Sequence, residues 1–280
     1  MYQLDRRSGK IAKNLDIRMK SRSFFSVVTA LMGLTMSSMS SMAFAAGYGL
    51  TIGAGVGLAP RYLGSDQSRF VPVPYLNVTT PSGIYFDTTR GAGYKFDLPR
   101  NFYIDGSINF AVGRKDSNAT YGSGSDALRG MGNIPNAPVA TVMAGYRFMG
   151  AGSVSVAGDF PLSNRRIGDS WRAAVKLPLM VTPTNVVTTQ AVAHIGSADY
   201  NQTMWGVNAS QSVASGFRQY GIGSGFNAVD FGLTWTHLFN RHWSMSTSGK
   251  VTHLVGDAGN SPIVFQRVSL SVATIAAYKF

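Results

Sequence analysis

The 280-residue chain has no cysteine and no glutamate, and after residue 45 it nowhere strings together the 18 or more apolar residues of a candidate membrane helix. Each absence removes a class of protein. Without cysteine there is no disulfide framework, no lipid-modified amino-terminal cysteine, no thiolate metal site and no thiol nucleophile. All 13 acids are aspartates, which favour turns and caps over helix interiors, so the composition suits strands and turns. Lacking apolar helices, such a chain could cross a bilayer only as a closed barrel, because hydrocarbon forces every backbone polar group to be paired within the protein. What is present is 32 glycines, 11% aromatic residues and a formal net charge of +12.

Much of that charge sits at the amino end. Residues 1–22 carry seven Lys or Arg against Asp5 and Asp16; an apolar stretch from Phe24 to about Met36 follows, then a Ser/Met-rich run and Ala43-Phe44-Ala45. This is the pattern of a secretory signal peptide, with an apolar core too short to span a bilayer. Cleavage is expected between Ala45 and Ala46, dividing the chain into a leader, 1–45, and a mature domain, 46–280. Met19 opens a more typical leader (MKSRSFF), so residues 1–18 are expected to precede the true start. Without the leader, 18 cations face 11 aspartates and the net charge falls to +7. No nucleic-acid-binding motif accompanies this excess. An exported protein of this charge is expected to meet lipopolysaccharide phosphates or other anions instead.

The last thirteen residues, VSLSVATIAAYKF, alternate. Val268, Leu270, Val272, Ala276, Tyr278 and Phe280 form an oily row softened only by Thr274; Ser269, Ser271, Ala273, Ala277 and Lys279 form a smaller, wetter one with Ile275 the exception. Period two is that of a strand with one apolar face. Ending on Phe280, with Tyr278 two positions earlier, is what a terminal strand needs to close an outer-membrane barrel with an aromatic at the membrane boundary. This ending resembles the signal read by the barrel-assembly machinery of Gram-negative bacteria.

The same alternation recurs along the chain. Tyr48 to Leu58 sets Leu50, Ile52, Ala54, Val56 and Leu58 against Gly49, Thr51, Gly53, Gly55 and Gly57, a glycine face that predicts something packed closely inside. Phe70 to Thr79 is a strand interrupted by Pro72 and Pro74, and Ile84 to Leu98 is one long strand or two short ones hinged at Gly91-Ala92-Gly93. Further strands fall at 102–112, 139–148, 153–160, 170–180, 186–197, 229–239, 242–253 and 268–280. The expected fold is an all-β, closed antiparallel transmembrane barrel of about 12 strands, with 10 the alternative count. Loops at 114–138, 198–225 and 256–262 then lie outside, with short turns facing the periplasm. The second of these loops is expected to have structure of its own around Met204 to Ser212.

No constellation for catalysis, metal or cofactor emerges. His194, His237, His242 and His253 show no zinc spacing, and Ser244 and Ser246 beside His242 lack a nucleophile motif. With the oily rows toward lipid, Arg147, Arg172, Lys176, Lys250, Arg267 and Lys279 are expected to face the lumen, opposite Asp105 and Asp230. They either plug it with ion pairs or favour anions in a pore. Trp171, Trp235 and Trp243 are expected in the interfacial aromatic girdles.

Several stretches, in order, resemble the MipA/OmpV family: YLGSD (62–66), VPYL (73–76), GR (113–114), LRGMGNI (128–134), WGVNASQS (205–212), LFNRHWS (238–244) and GDAGNSPIV (256–264), then the terminal Tyr-Lys-Phe. Asn133 and Asn260 stand where many relatives are expected to carry Asp. The resemblance implies a non-enzymatic barrel in the outer membrane. It also implies a scaffolding role between a lytic transglycosylase and a penicillin-binding protein in peptidoglycan growth. An anion-favouring channel or permeability barrel, and a surface adhesin using the long loops, are the alternatives.

Overall fold

The structure is a computed structural model that describes residues 47–118, 122–148, 150 and 152–280. The leader, the Ala45–Ala46 junction and the two candidate starts lie outside the described residues. Twelve antiparallel strands close into a barrel: β1 (Gly49–Pro60), β2 (Ser68–Thr79), β3 (Ile84–Asp87), β4 (Gly91–Asp97), β5 (Phe102–Ala111), β8 (Ala137–Phe148), β9 (Gly152–Pro161), β10 (Ser170–Val181), β11 (Asn185–Gly196), β12 (Gly225–Leu238), β13 (Trp243–Leu254) and β14 (Val268–Lys279). Two further strands, β6 (Arg114–Lys115) and β7 (Ser123–Gly124), pair outside the barrel. Every barrel strand pairs with its neighbours in the chain, and β14 returns to β1. Phe280 completes the seam, its N–H donating to Leu50 O at 3.0 Å.

The alternation sorts the side chains. Val56, Ile104, Phe110, Val156, Leu233 and Leu270 point outward and are exposed, as a lipid-facing wall requires, while the alternate row turns to the lumen. The glycines of β1 serve a different purpose from the one their pattern suggests. A Cβ on Gly53 would lie 2.7 Å from Ala276 O and 3.0 Å from Ala277 Cβ; one on Gly55 would lie 2.8 Å from Ile275 Cα. The close neighbour is β14 itself, so these glycines let the closing strands approach tightly at the seam.

The β3–β4 hairpin departs most from an ideal barrel. Its turn is Thr88-Thr89-Arg90, one step ahead of the expected glycine hinge, and Gly91 follows at φ +88°. Asp87 fixes the tip: it accepts from Thr89 N–H at 2.8 Å, Thr89 Oγ1 at 2.5 Å and Asn77 Nδ2 at 2.8 Å. Because β3 ends there, β2 pairs with it only through residues 77–79, and residues 68–75 meet no strand on that side. Leu76 N–H and C=O both reach Thr88, so Pro72 and Pro74, of the same parity, turn their nitrogens toward the unpaired edge. The prolines that look like strand breakers in the sequence sit where no N–H is needed.

At the opposite end from Gly49 and Lys279, the loops pack into a cap. Tyr62, Leu128, Met131, Val207 and Ile263 form one buried core; Trp205, Ile222, Ala228, Leu254 and Ala258 form another. Ala228 and Leu254 lie at the outer ends of β12 and β13, so this second core rests on the inner wall of the mouth. Two helices, α1 (Ala198–Trp205) and α2 (Ala209–Ser215), occupy the segment expected to have structure of its own. Asn208 caps α2 in a reciprocal capping box with Gln211. Bonds between loops tie the cap together: Gln211 Nε2 to Met131 O at 2.8 Å, Tyr62 OH to Ile263 O at 2.8 Å, and Ser261 Oγ to Trp205 O at 2.5 Å. Each buried Leu or Ile contributes about 1.5–3 kcal/mol to holding the loops in place.

Candidate functional site

The lumen carries the protein's concentrated charge. Register places Arg147, Ser153 and Lys176 directly opposite one another on β8, β9 and β10, and the same row continues through Gln190, Gly232 and Lys250 to Ser271. Ion pairs occupy parts of this wall. Arg147 pairs with Asp97, Arg172 with Asp159, and Arg90 with Asp105. Asp105 is almost wholly buried and also accepts from Tyr85 OH at 2.6 Å. Asp230 receives Lys250 Nζ at 3.2 Å and His194 Nε2 at 3.1 Å. Such pairs offset the desolvation of charges inside the barrel, and removing one partner would strand the other.

Tyrosines hold some of the cations. Tyr103 faces Gly145 in register, its ring lying where a Cβ on Gly145 would be, and Tyr85 stands over Gly93 in the same way. Lys95 Nζ, 4.8 Å from its centroid, and the Arg147 guanidinium, at 4.9 Å, both lie over the Tyr103 ring. Arg90 stacks over Tyr85 at 4.3 Å. Around these groups is a cavity of about 200 Å³ lined by Arg90, Lys95, Tyr103, Arg147, Ser153 and Lys176. Among the described residues Lys95 and Lys176 have no carboxylate partner. Lys95 and Arg90 carried no signal of their own in the sequence, because the register of 84–98 could not be read there.

Other residues singled out from the sequence lie elsewhere. Arg267 precedes β14 and donates to Asn260 Oδ1 at 2.6 Å in the outer loop. Lys279 ends β14, and its C=O meets His242 Nδ1 at 2.9 Å. Trp235 and Trp243 lie at the turn end of the barrel, where Trp243, Tyr278 and Phe280 pack edge to face at 5.1 and 4.9 Å; Trp171 lies at the opposite end, at the start of β10. Trp205, the first residue of the WGVNASQS motif, is not in a girdle but buried in the cap. Three of the four histidines, His194, His237 and His242, meet Asp230, Asn185 and a backbone carbonyl, and none of the four is hydrogen-bonded to a serine among the described residues. No group of three metal-ligating side chains occurs among them either.

The cap contains one unusual cation. Arg114 is buried, donates from Nη1 to Met204 O at 2.5 Å, and leaves Nε without a partner. Burial pushes its pKa down to about 10. The neighbouring Tyr62 phenol is pushed well above the usual tyrosine range by the same loss of water.

Outward-facing apolar strands, a closed twelve-strand wall and long loops at one end define an outer-membrane β-barrel. Residues 52–280 match the family described as MltA-interacting protein MipA, and the chain belongs to that family. No curated protein matches it. Among solved structures it is similar to the COG4313 outer membrane channel from Pseudomonas putida F1, at 12% identity and TM-score 0.48, over 85% of this chain and 97% of that one. It is also similar to the translocator domain of the autotransporter NalP from Neisseria meningitidis, at 10% identity and TM-score 0.43, over 91% and 97% of the respective chains.

Proposed function

We propose that the protein is a non-enzymatic outer-membrane scaffold that is shut toward the outside and works from the periplasmic side, where it engages murein-directed enzymes. The observation that carries this reading is the asymmetry of the two ends. The outer mouth is filled by two packed cores, whereas in the lower lumen Lys176 and Gln190 remain exposed. The description of its family as an MltA-interacting protein supports the same direction. The turns at this end are short, so an interface of about 800 Å² per partner has to span several of them, including those at 98–101 and 239–242.

Photo-crosslinking residues placed at Arg100 and Asn240 in these turns, and at exposed Val213 in the cap, test it in intact cells. Adducts with a lytic transglycosylase or a penicillin-binding protein are expected from the turn positions alone. Adducts from Val213 only, or none with a murein enzyme, would overturn it.

A further inference from the structure

We infer that the periplasmic half of the lumen holds a binding site for a small anion bearing carboxylate or phosphate groups, built by Lys95, Arg147 and Lys176 around Tyr103. This goes beyond the scaffolding role and does not rest on it. The charges on the cavity wall do not balance. Four cations, Arg90, Lys95, Arg147 and Lys176, line about 200 Å³. Two are matched: Arg90 by Asp105, and Arg147 by Asp97. That leaves two positive charges without a carboxylate, in a space whose other lining includes Tyr103, Met143 and Ser153.

Like charges brought together on one stretch of the wall repel one another, and an anion entering among them relieves that repulsion. The geometry favours a ligand over a diffuse ion atmosphere. Lys176 and Arg147 flank Ser153 in register, one strand to either side and so about 10 Å apart at the backbone, a gap that two long cationic side chains can close around one anion. Lys95 comes from the other side, held against the Tyr103 ring that Arg147 also touches. Gly150 and Gly152 line the rim and carry no side chain of their own. Rigid strands carry every one of the three cations, so the site is formed before a ligand arrives.

The test is calorimetric titration of the folded, detergent-purified barrel at low ionic strength with inorganic phosphate in one arm and citrate in another, using chloride at equal ionic strength as the reference. Saturable binding of at least one anion above the chloride reference is expected, and the arm that binds tells phosphate from carboxylate. The Lys95→Gln/Lys176→Gln variant is expected to bind at least tenfold more weakly. Lys95→Arg/Lys176→Arg, which keeps the charge, is expected to stay within a few fold of the parent. A mobility difference between boiled and unboiled samples establishes that each variant is folded. Absence of saturable binding by the parent, or equal binding by the folded Gln variant, overturns the proposal. Crosslinks from Arg100 and Asn240 read the scaffold reading separately.

Discussion

Tyr103 and Gly145 face each other across β5 and β8, and the tyrosine ring fills the space that a side chain at 145 would take. The glycine lets the ring lie flat on the wall, and the flat ring presents its face to Lys95 and Arg147. A residue with no side chain thus determines where two cations stand.

Gly145→Ala is therefore expected to force the ring off the wall and to destabilise the barrel by about 1–3 kcal/mol, the usual cost of overpacking. Gly106→Ala is the matched control, because a Cβ there meets nothing within 4 Å. Urea titration followed by the shift in gel mobility of the folded form reads both. Equal midpoints for the two variants would show that the Tyr103–Gly145 contact is dispensable.

A second expectation concerns the unpaired edge of β2. Restoring two N–H donors with Pro72→Thr/Pro74→Thr gives that edge the hydrogen-bonding row that natural edges suppress. Phe70, 82% exposed, and Phe110, 70% exposed, add apolar surface on the two strands that flank the gap. The double variant is expected to form dimers or larger species in mild detergent, read by light scattering. A species of the parent's mass would mean that the prolines do not guard this edge.

Alternation made the strands legible, since a lipid-facing row is apolar along its whole length. Most strand ends fall within one to three residues of their expected places, and the parity of Arg147, Arg172, Lys176 and Lys250 could be read directly. Local pattern could not supply what depends on a neighbouring strand. The glycines of β1 are explained only by β14, more than two hundred residues away, and Pro72 and Pro74 only by the early end of β3. The cap was invisible for a related reason: Tyr62, Leu128, Met131, Val207 and Ile263 come from four separate loops and follow no period. Even so, the motifs behind the family resemblance fall largely there. YLGSD supplies Tyr62, LRGMGNI supplies Leu128 and Met131, WGVNASQS supplies Trp205, Val207 and the Asn208 cap, and GDAGNSPIV supplies Ala258 and Ile263.

In the cap, Tyr62 and Tyr200 should titrate late. Burial raises both phenols above the ordinary tyrosine value of about 10, because the phenolate loses more hydration than the phenol. The folded state holds these protons more tightly than the unfolded chain. Their contribution to stability is thus fully present below about pH 10 and is lost as the pH climbs through the raised values. In an alkaline titration, phenolate absorbance of the folded barrel should lag behind that of the heat-unfolded protein. Tyr62→Phe should remove part of the lag. Coincident curves would place both rings in water.

The cap and the barrel should also come apart energetically. The wall is held by strand ladders that follow one another from β5 round to β2 through the seam, whereas the cap depends on a few apolar side chains and on bonds between loops. Leu128 and Ile263 are completely buried at its centre. Replacing either with Ala leaves a cavity costing about 2–5 kcal/mol, a sum the loops bear largely alone because the ladders of the barrel wall do not pass through them and only the short β6–β7 pair and two isolated bridges do. Leu128→Ala/Ile263→Ala is expected to retain the heat-dependent mobility shift of a closed barrel while the 198–224 segment becomes sensitive to a brief protease pulse. Cleavage products ending near α1 and α2, with the strands intact, are the outcome that separates the two units. Loss of the mobility shift together with the cap would mean that the outer core also holds the wall closed, and protease resistance equal to the parent's would mean that the loops are fixed by their hydrogen bonds alone.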